Sequence, residues 1–323
     1  MDNTLQKKVC EATGASELFD EEKIQDLWSG YGIIARYALR GATIDSVVVK
    51  HICLPENISH PRGWNTNISH QRKIKSYAVE TAWYKNWSHL CDENAYVPKC
   101  FAVDVHDNET LIVLEDLACT GFPRVKTNVT LEEIKVCVRW LAHFHVTFMG
   151  QSPQQLWETG TYWHLDTRPD ELQALQDVSL KNAAHKIDKK LRESPFQTFV
   201  HGDAKLANFC FSRDGKKVAA VDFQYVGAGC GMKDLAYFIG SCLHEEECEK
   251  FERELLDHYF YCIRQAATQK NATINCDYLE ENWRALFPVA WADFHRFLKG
   301  WSPGHWKINS YSEKITRQVV ESL

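Results

Sequence analysis

The sequence has no surplus of basic residues. Lys and Arg number 37 against 43 Asp and Glu, a net charge of −6 with a pI near 6.2. No phosphate-neutralising surface is expected from that balance, and nucleic acid is excluded as a partner. Long apolar runs are also missing. None approaches the ~18 residues of a membrane span, and the opening MDNTLQKKVCEATG has no signal-peptide core. The expectation is a cytoplasmic protein with no membrane partner. Paired cysteine motifs are absent too: the 12 cysteines are scattered without a CxxC or a compact framework, which leaves reduced thiols in packing roles. Cys242, His244 and Cys248 come nearest to a metal group, but no fourth ligand stands at zinc-site spacing. Internal repeats and low-complexity tracts are lacking, which excludes solenoids and fibres.

What remains is a chain of 323 residues, 45% hydrophobic and 12% aromatic, able to bury one large core or two moderate ones. Residues 24–52 alternate apolar and polar side chains in three runs, broken at Ser29-Gly30-Tyr31-Gly32 and Arg40-Gly41. That pattern predicts an antiparallel three-stranded meander. The polar stretch 54–70 reads as a long loop, a candidate lid. A helix follows over about 71–89, then strands near 99–105 and 110–115. From Thr130, a plausible N-cap, the pattern becomes helical, with a second helix predicted over 170–192. Beyond Gly231 nearly everything is helical. A sheet-rich part over 1–118 and a helical part over 119–323 carrying one inserted hairpin are the expected domains.

The stretch HGDAKLANFCFSRDGKKVAAVDFQ (201–224) places polar residues around two short apolar runs. Strands 209–211 and 218–221, joined by the turn Arg213-Asp214-Gly215, would bring Asp203, Asn208 and Asp222 to one end of a hairpin. Two carboxylates and an amide oxygen are hard ligands plus a proton acceptor. They suit Mg²⁺ holding a triphosphate beside an alcohol. Each of these residues alone could equally be an ordinary turn residue.

The stretch resembles the protein-kinase-like phosphotransferase superfamily, in the branch of choline kinases, aminoglycoside phosphotransferases and ecdysteroid-kinase-like proteins. HGDAKLAN is similar to that branch's catalytic loop His-Gly-Asp-x4-Asn, and Asp222-Phe223-Gln224 to its metal motif. The pairing of HGD with DFQ, LEDL at 114–117 and WADFHRFLKGW at 291–301 most resembles the ecdysteroid-kinase-like group, over about 20–312. The resemblance implies an α+β, bilobal protein-kinase-like fold with a small antiparallel-sheet N-lobe and a larger helical C-lobe. It also implies ATP and Mg²⁺ as cofactors, Asp203 as catalytic base, and Asn208 and Asp222 as metal ligands. His201 would orient the loop, and Asp234 would cap a helix or brace that loop.

The resemblance further implies a phosphate-contacting lysine at the end of a strand, here Lys50, paired with Glu80. On its helix Glu80 shares a face with Trp83, Tyr84 and Trp87, where an unpaired carboxylate would be costly. Gly30 and Gly32 match the phosphate-covering loop, although the third glycine of GxGxxG is missing. Backbone near Glu115 and Leu117 would meet adenine. Gly202 and Gln224 stand where protein kinases carry Arg and Gly, and only about ten residues separate Asp222 from the next helix. A small-molecule alcohol is therefore the expected substrate, with Asp203, Tyr225, Trp291 and Asp293 as its contacts. Trp residues beside Asp293 could enclose a quaternary ammonium or stack on a sugar or sterol. A nucleotide-binding pseudokinase acting as a regulatory or interaction protein is the alternative.

Overall fold

The computed structural model describes residues 3–27, 30–54 and 67–323. Ser29 and most of the predicted 54–70 loop, with its role as a lid, lie outside these residues. Helix α1 (Asn3–Thr13) precedes strands β1 (Glu17–Asp26), β2 (Gly32–Arg40) and β3 (Ser46–Cys53). Helix α2 (Asn67–Asn86) then leads to β4 (Cys100–His106) and β5 (Glu109–Glu115). These strands form one antiparallel sheet in the order β1-β2-β3-β5-β4. The meander is as the alternation predicts, except that its first strand begins at Glu17, well before residue 24. Most of β1 is exposed; an edge strand carrying Asp20, Glu21, Glu22 and Lys23 has no buried alternation to read.

Alternation along β3 decides what the sheet presents to each side. Val47 and Val49 pack with Leu5 and Val9 of α1 behind the sheet. Lys50, one residue out of phase with them, therefore points to the opposite face, where α2 lies. Its register neighbours are Ile34 on β2 and Ile112 on β5.

Past a short strand β6 (Arg124–Val125), helix α3 (Leu131–Thr147) opens on a capping box between Thr130 and Glu133, a feature that contributes about 1 kcal/mol. The single helix predicted over 170–192 is instead two, α4 (Pro169–Ala174) and α5 (Val178–Arg192). Leu175 is extended, and the Asp177 side chain accepts from Leu180 N. An Asp that satisfies a new helix start competes successfully with continuing the old one.

Four three-residue strands follow: β7 (Thr198–Val200), β8 (Phe209–Phe211), β9 (Val218–Ala220) and β10 (Gly227–Gly229). β8 and β9 form the predicted hairpin, with β6 added at its edge, while β7 pairs with β10. Helices α6 (Met232–Cys242), α7 (Glu245–Gln269), α8 (Cys276–Trp301) and α9 (Ser310–Glu321) complete the chain. One apolar cluster runs from Ile52 and Ile112 of the sheet through Trp83 and Phe144 to Phe223 and Trp283. Trp83, Trp140, Trp163 and Trp283 are fully buried, each contributing roughly 3 kcal/mol or more through removal of its rings from water. Among the described residues no helix is long and apolar enough to cross a membrane.

Candidate active site

The HGDAKLAN loop (201–208) is built around a backbone conformation that only glycine tolerates. Gly202 has φ +79°, and a Cβ there would sit 2.1 Å from the carbonyl oxygen of Tyr225. On either side the loop is pinned. Asp234, at the start of α6, accepts from His201 N (2.5 Å) and Gly202 N (3.0 Å) and faces His145 Nε2 at 3.2 Å. It braces the loop, as one of its two expected roles required; the residue before α6 is Gly231, which makes no side-chain cap. His201 accepts from Asp203 N at Nδ1 (3.3 Å) and donates from Nε2 to Val221 O (3.0 Å). It is a spacer between the loop and the end of β9.

Those constraints bring Asp203, Asn208 and Asp222 together. Asn208 Nδ2 donates to Asp203 O (2.8 Å) and Oδ2 (3.2 Å), so its amide oxygen is the atom left for a cation. Asp203 also accepts from Tyr237 Oη (3.0 Å) at Oδ1 and from Lys205 Nζ (2.9 Å) at Oδ2. Asp222 adopts φ +69°, a strained conformation for a residue with a side chain. Its Oδ1 is buried without a partner. An orphaned carboxylate oxygen next to an amide oxygen suits a hard divalent cation such as Mg²⁺.

The two carboxylates are driven apart electrostatically. Burial pushes the Asp203 pKa up, and the charge of Asp222 adds to it, against the pull of Lys205. Burial also pushes Asp222 up, but Lys50, Lys73 and Lys205 outweigh it and hold that carboxyl below its ordinary value. One group is therefore suited to take a proton and the other to stay charged.

Helix α2 supplies the opposite wall. Lys50 Nζ lies 2.5 Å from Glu80 Oε2, and both side chains are buried. The pair answers the difficulty of a carboxylate on an apolar stripe, since Trp83, three residues on, stacks at 4.4 Å on Phe223, the neighbour of Asp222. Lys73 donates to Gln224 Oε1 (2.8 Å), which also accepts from Ser76 Oγ (3.2 Å). Burial and the nearby Lys50 lower the Lys73 pKa to about 8. The sequence reading missed Lys73, although its spacing of seven from Glu80 places both on one helical face. Lys205 was also missed, although it lies inside the loop motif itself.

Lys50, Lys73, Glu80, Asp203, Lys205, Asn208, Asp222 and Gln224 all line one cleft of about 1360 Å³. One end is apolar, with Ile34, Val48, Leu114, Leu117 and Phe122. Glu115 lines it too, but its carboxylate is held by Tyr96 Oη and Lys99 N, and Leu117 O accepts from Phe122 N. Gly30 lies in the turn between β1 and β2, and Gly32 opens β2 opposite Ile52 of β3. Gly32 is required there by contact, since a Cβ would come within 2.0 Å of His51 O on β3. Tyr31, between them, lines the cleft and bonds His70 Nδ1 at 2.7 Å.

At the other end Tyr225 lines the cleft together with Tyr162, Tyr237, Phe294, Phe297 and Trp301. Two expected substrate contacts are not brought there. Trp291 is buried against Tyr311 and Phe287. Asp293 is fully buried, 3.0 Å from Arg296, 3.4 Å from Lys233, and hydrogen-bonded by Trp163 Nε1. The two miss it for different reasons: Trp291 shares the stripe of Phe294 and Leu298 on α8 but lies a turn before them, where Tyr311 of α9 packs against it, whereas Asp293 lies off the stripe and turns to Lys233 and Arg296.

A sequence model described as the ecdysteroid kinase-like family matches residues 75–156 and 147–272. No curated protein matches the chain. Among solved structures, a microcompartment-associated aminopropanol kinase is similar at 15% identity, covering 99% of this chain and 94% of its own, with a TM-score of 0.54. A choline/ethanolamine kinase family protein from Mesorhizobium loti is 12% identical over 94% of this chain and 87% of its own, TM-score 0.45. An aminoglycoside phosphotransferase from Streptomyces rimosus, solved with ADP and streptomycin, is 12% identical over 84% and 92%, TM-score 0.39. At such identities the likeness is one of fold, and that fold is the protein-kinase-like α+β architecture.

Proposed function

The chain belongs to the ecdysteroid kinase-like family, and from that premise we propose that it transfers the γ-phosphoryl group of ATP to a hydroxyl of a small molecule. The observation that carries the reading is the convergence of Asp203, Asn208 and Asp222 in one cleft with the tethered Lys50, with an oxygen of Asp222 buried and unpartnered. Asn208 and Asp222 would hold Mg²⁺, which when bound offsets the negative charge of the phosphates. Lys50, fixed by Glu80, and Lys73, fixed by Gln224, are the protein's own cations for those phosphates. The apolar end of the cleft suits the adenine, with hinge backbone at 115–117 beside it. In this reading residues 1–118 hold the nucleotide, Gly30 and Gly32 shape its turn, and 119–323 carry the catalytic loop and the acceptor.

Asp203 takes the role of base. Its raised proton affinity moves it toward the working range, and Tyr237 and Lys205 fix the direction of both carboxylate oxygens. As the acceptor oxygen bonds to the γ-phosphorus, the bond from that phosphorus to the bridging oxygen of ADP breaks. The hydroxyl proton passes to Asp203. A panel of amino alcohols, aminoglycosides, sugars and sterols is expected to contain an acceptor that accelerates ATP consumption. Asp203→Asn is expected to lower that rate by about 10²–10⁴-fold with MgATP binding retained. ATP binding without any turnover sensitive to Asp203→Asn contradicts the reading and points to a pseudokinase.

A further inference from the structure

The charges around the acceptor end of the cleft are lopsided. Each carboxylate lining the cleft already has an assignment: Glu80 to Lys50, Glu115 to Tyr96 and Lys99 N, Asp116 to Arg36 and Ser46, Asp203 to Lys205. Asp222 faces the metal position. Asp293, the one carboxylate of α8 that could have met a cationic acceptor, is consumed by Lys233 and Arg296. Among the described residues, no acidic group is left to meet an ammonium.

Cations, by contrast, are left over. Arg72 donates to Thr167 O (2.7 Å) and Ser69 Oγ (3.1 Å) and hydrogen-bonds the Tyr225 side chain, and the carboxylate whose charge acts on it, Glu171, is already bonded to Arg168. Its pKa is lowered by burial and by the like charge of Arg168. Arg168, bonded to Glu171, lies 5.2 Å over the Phe297 ring and 5.8 Å over Tyr162. Lys307 has no ion pair among the described residues. It lies 5.1 Å over Tyr237, whose hydroxyl donates to the catalytic Asp203, and 5.5 Å over Phe294. A half-buried lysine and a close arginine pair beside apolar rings are costly unless an anion joins them.

Resting on the phosphotransferase reading of this cleft, we propose that its acceptor is a flat, apolar hydroxy compound bearing a carboxylate, which Lys307 recognises while the aromatic rings take its body. Lysine supplies a charge-assisted bond to such a group, and Tyr162, Tyr237, Phe294 and Phe297 supply area for a ring. A quaternary ammonium or an aminoglycoside would meet like charge instead.

Burial lowers the Lys307 pKa to about 8, so its charge, and with it the preference, fades as the pH rises through that value. Apart from Asp203, the titratable groups facing Lys307 are moved away from the window between pH 7 and 9. Cys242 of α6 and Cys248 of α7 are pushed up to about 12 by burial. Lys205 and Tyr237 are also raised, and His305 is lowered by burial and by Lys307. Asp203 is raised by burial and by the charge of Asp222, and Lys307→Met separates its titration from that of Lys307, because the pH dependence owed to the lysine is absent from the variant.

Three probes sharing one phenol ring test the proposal by NMR line broadening or calorimetry on the full chain, with and without MgATP: 3-(4-hydroxyphenyl)propionate, tyrosol and tyramine. The propionate is expected to bind tightest and tyramine weakest, by roughly tenfold or more between them. Lys307→Met is expected to bring the propionate down to tyrosol, and so is raising the pH to 9 in the parent. Retention of the thermal shift with MgATP shows that the variant is folded. Equal or undetectable binding of the three, or a lead for tyramine, overturns the proposal. Failure of the parent to bind MgATP sinks the phosphotransferase reading separately, because probe binding is read without nucleotide as well.

Discussion

Asp203 receives hydrogen bonds at both carboxylate oxygens, and Asp222 keeps one buried oxygen with no partner at all. Two identical side chains thereby acquire different chemistry from neighbours alone. His295 of α8 shows the same principle away from the cleft. It is buried, hydrogen-bonded to Thr316 at 2.7 Å, and burial lowers its pKa from 6.5 to about 4 against the pull of Glu313. Because the folded protein then binds fewer protons than the unfolded chain, the contribution of His295 is full above pH 6.5 and is lost as the pH falls toward 4. Urea titrations across that window are expected to show a loss on the order of 3 kcal/mol, and His295→Gln a flatter dependence. An unchanged slope in the variant contradicts this assignment. At this scale the loop residues were legible because Asp203, Asn208 and Asp222 keep fixed spacing around short strands. Tyr237, Lys307, Arg72 and Arg168 were not, because they reach the cleft from separate elements whose docking angle no local pattern records.

Helix α2 joins the sheet to the Asp222-Phe223-Gln224 segment. Glu80 holds Lys50 of β3, Lys73 holds Gln224, and Trp83 stacks on Phe223. Removing one partner of a buried ion pair leaves an uncompensated charge, so Lys50→Met is expected to destabilise the fold by about 3 kcal/mol. The double variant Lys50→Met/Glu80→Leu is expected to recover most of that stability in urea denaturation, because neither side chain is then an unpaired charge. Phosphoryl transfer should stay lost in both. Recovery of activity in the double variant would show that the pair serves stability alone. Glu80 could be read from the apolar stripe around it, whereas α4 and α5 were merged because Asp177 looks like any polar helix residue until its side chain caps Leu180 N. Helix α1 went unread for a related reason, since its buried side is short, with Leu5 and Val9 at its centre.

Across the whole molecule, one apolar cluster extends from the sheet through α2 to the helices packed around the 201–208 loop. The α+β architecture was legible from the change of period near residue 130, and the paired strands β8 and β9 from the turn between them. The cleft's lining was not, because a surface assembled from α2, α6, α8 and the segment after it exists only once they pack. The most direct test is to titrate nucleotide into the intact chain with and without Mg²⁺, in the parent and in Asp222→Ala. The parent is expected to gain thermal stability with ATP and to gain further with Mg²⁺, up to about 2.7 kcal/mol at a hundredfold excess over Kd. Asp222→Ala should lose the Mg²⁺-dependent part. A parent that ignores nucleotide, or a Mg²⁺ response that survives Asp222→Ala undiminished, contradicts the reading of this cleft.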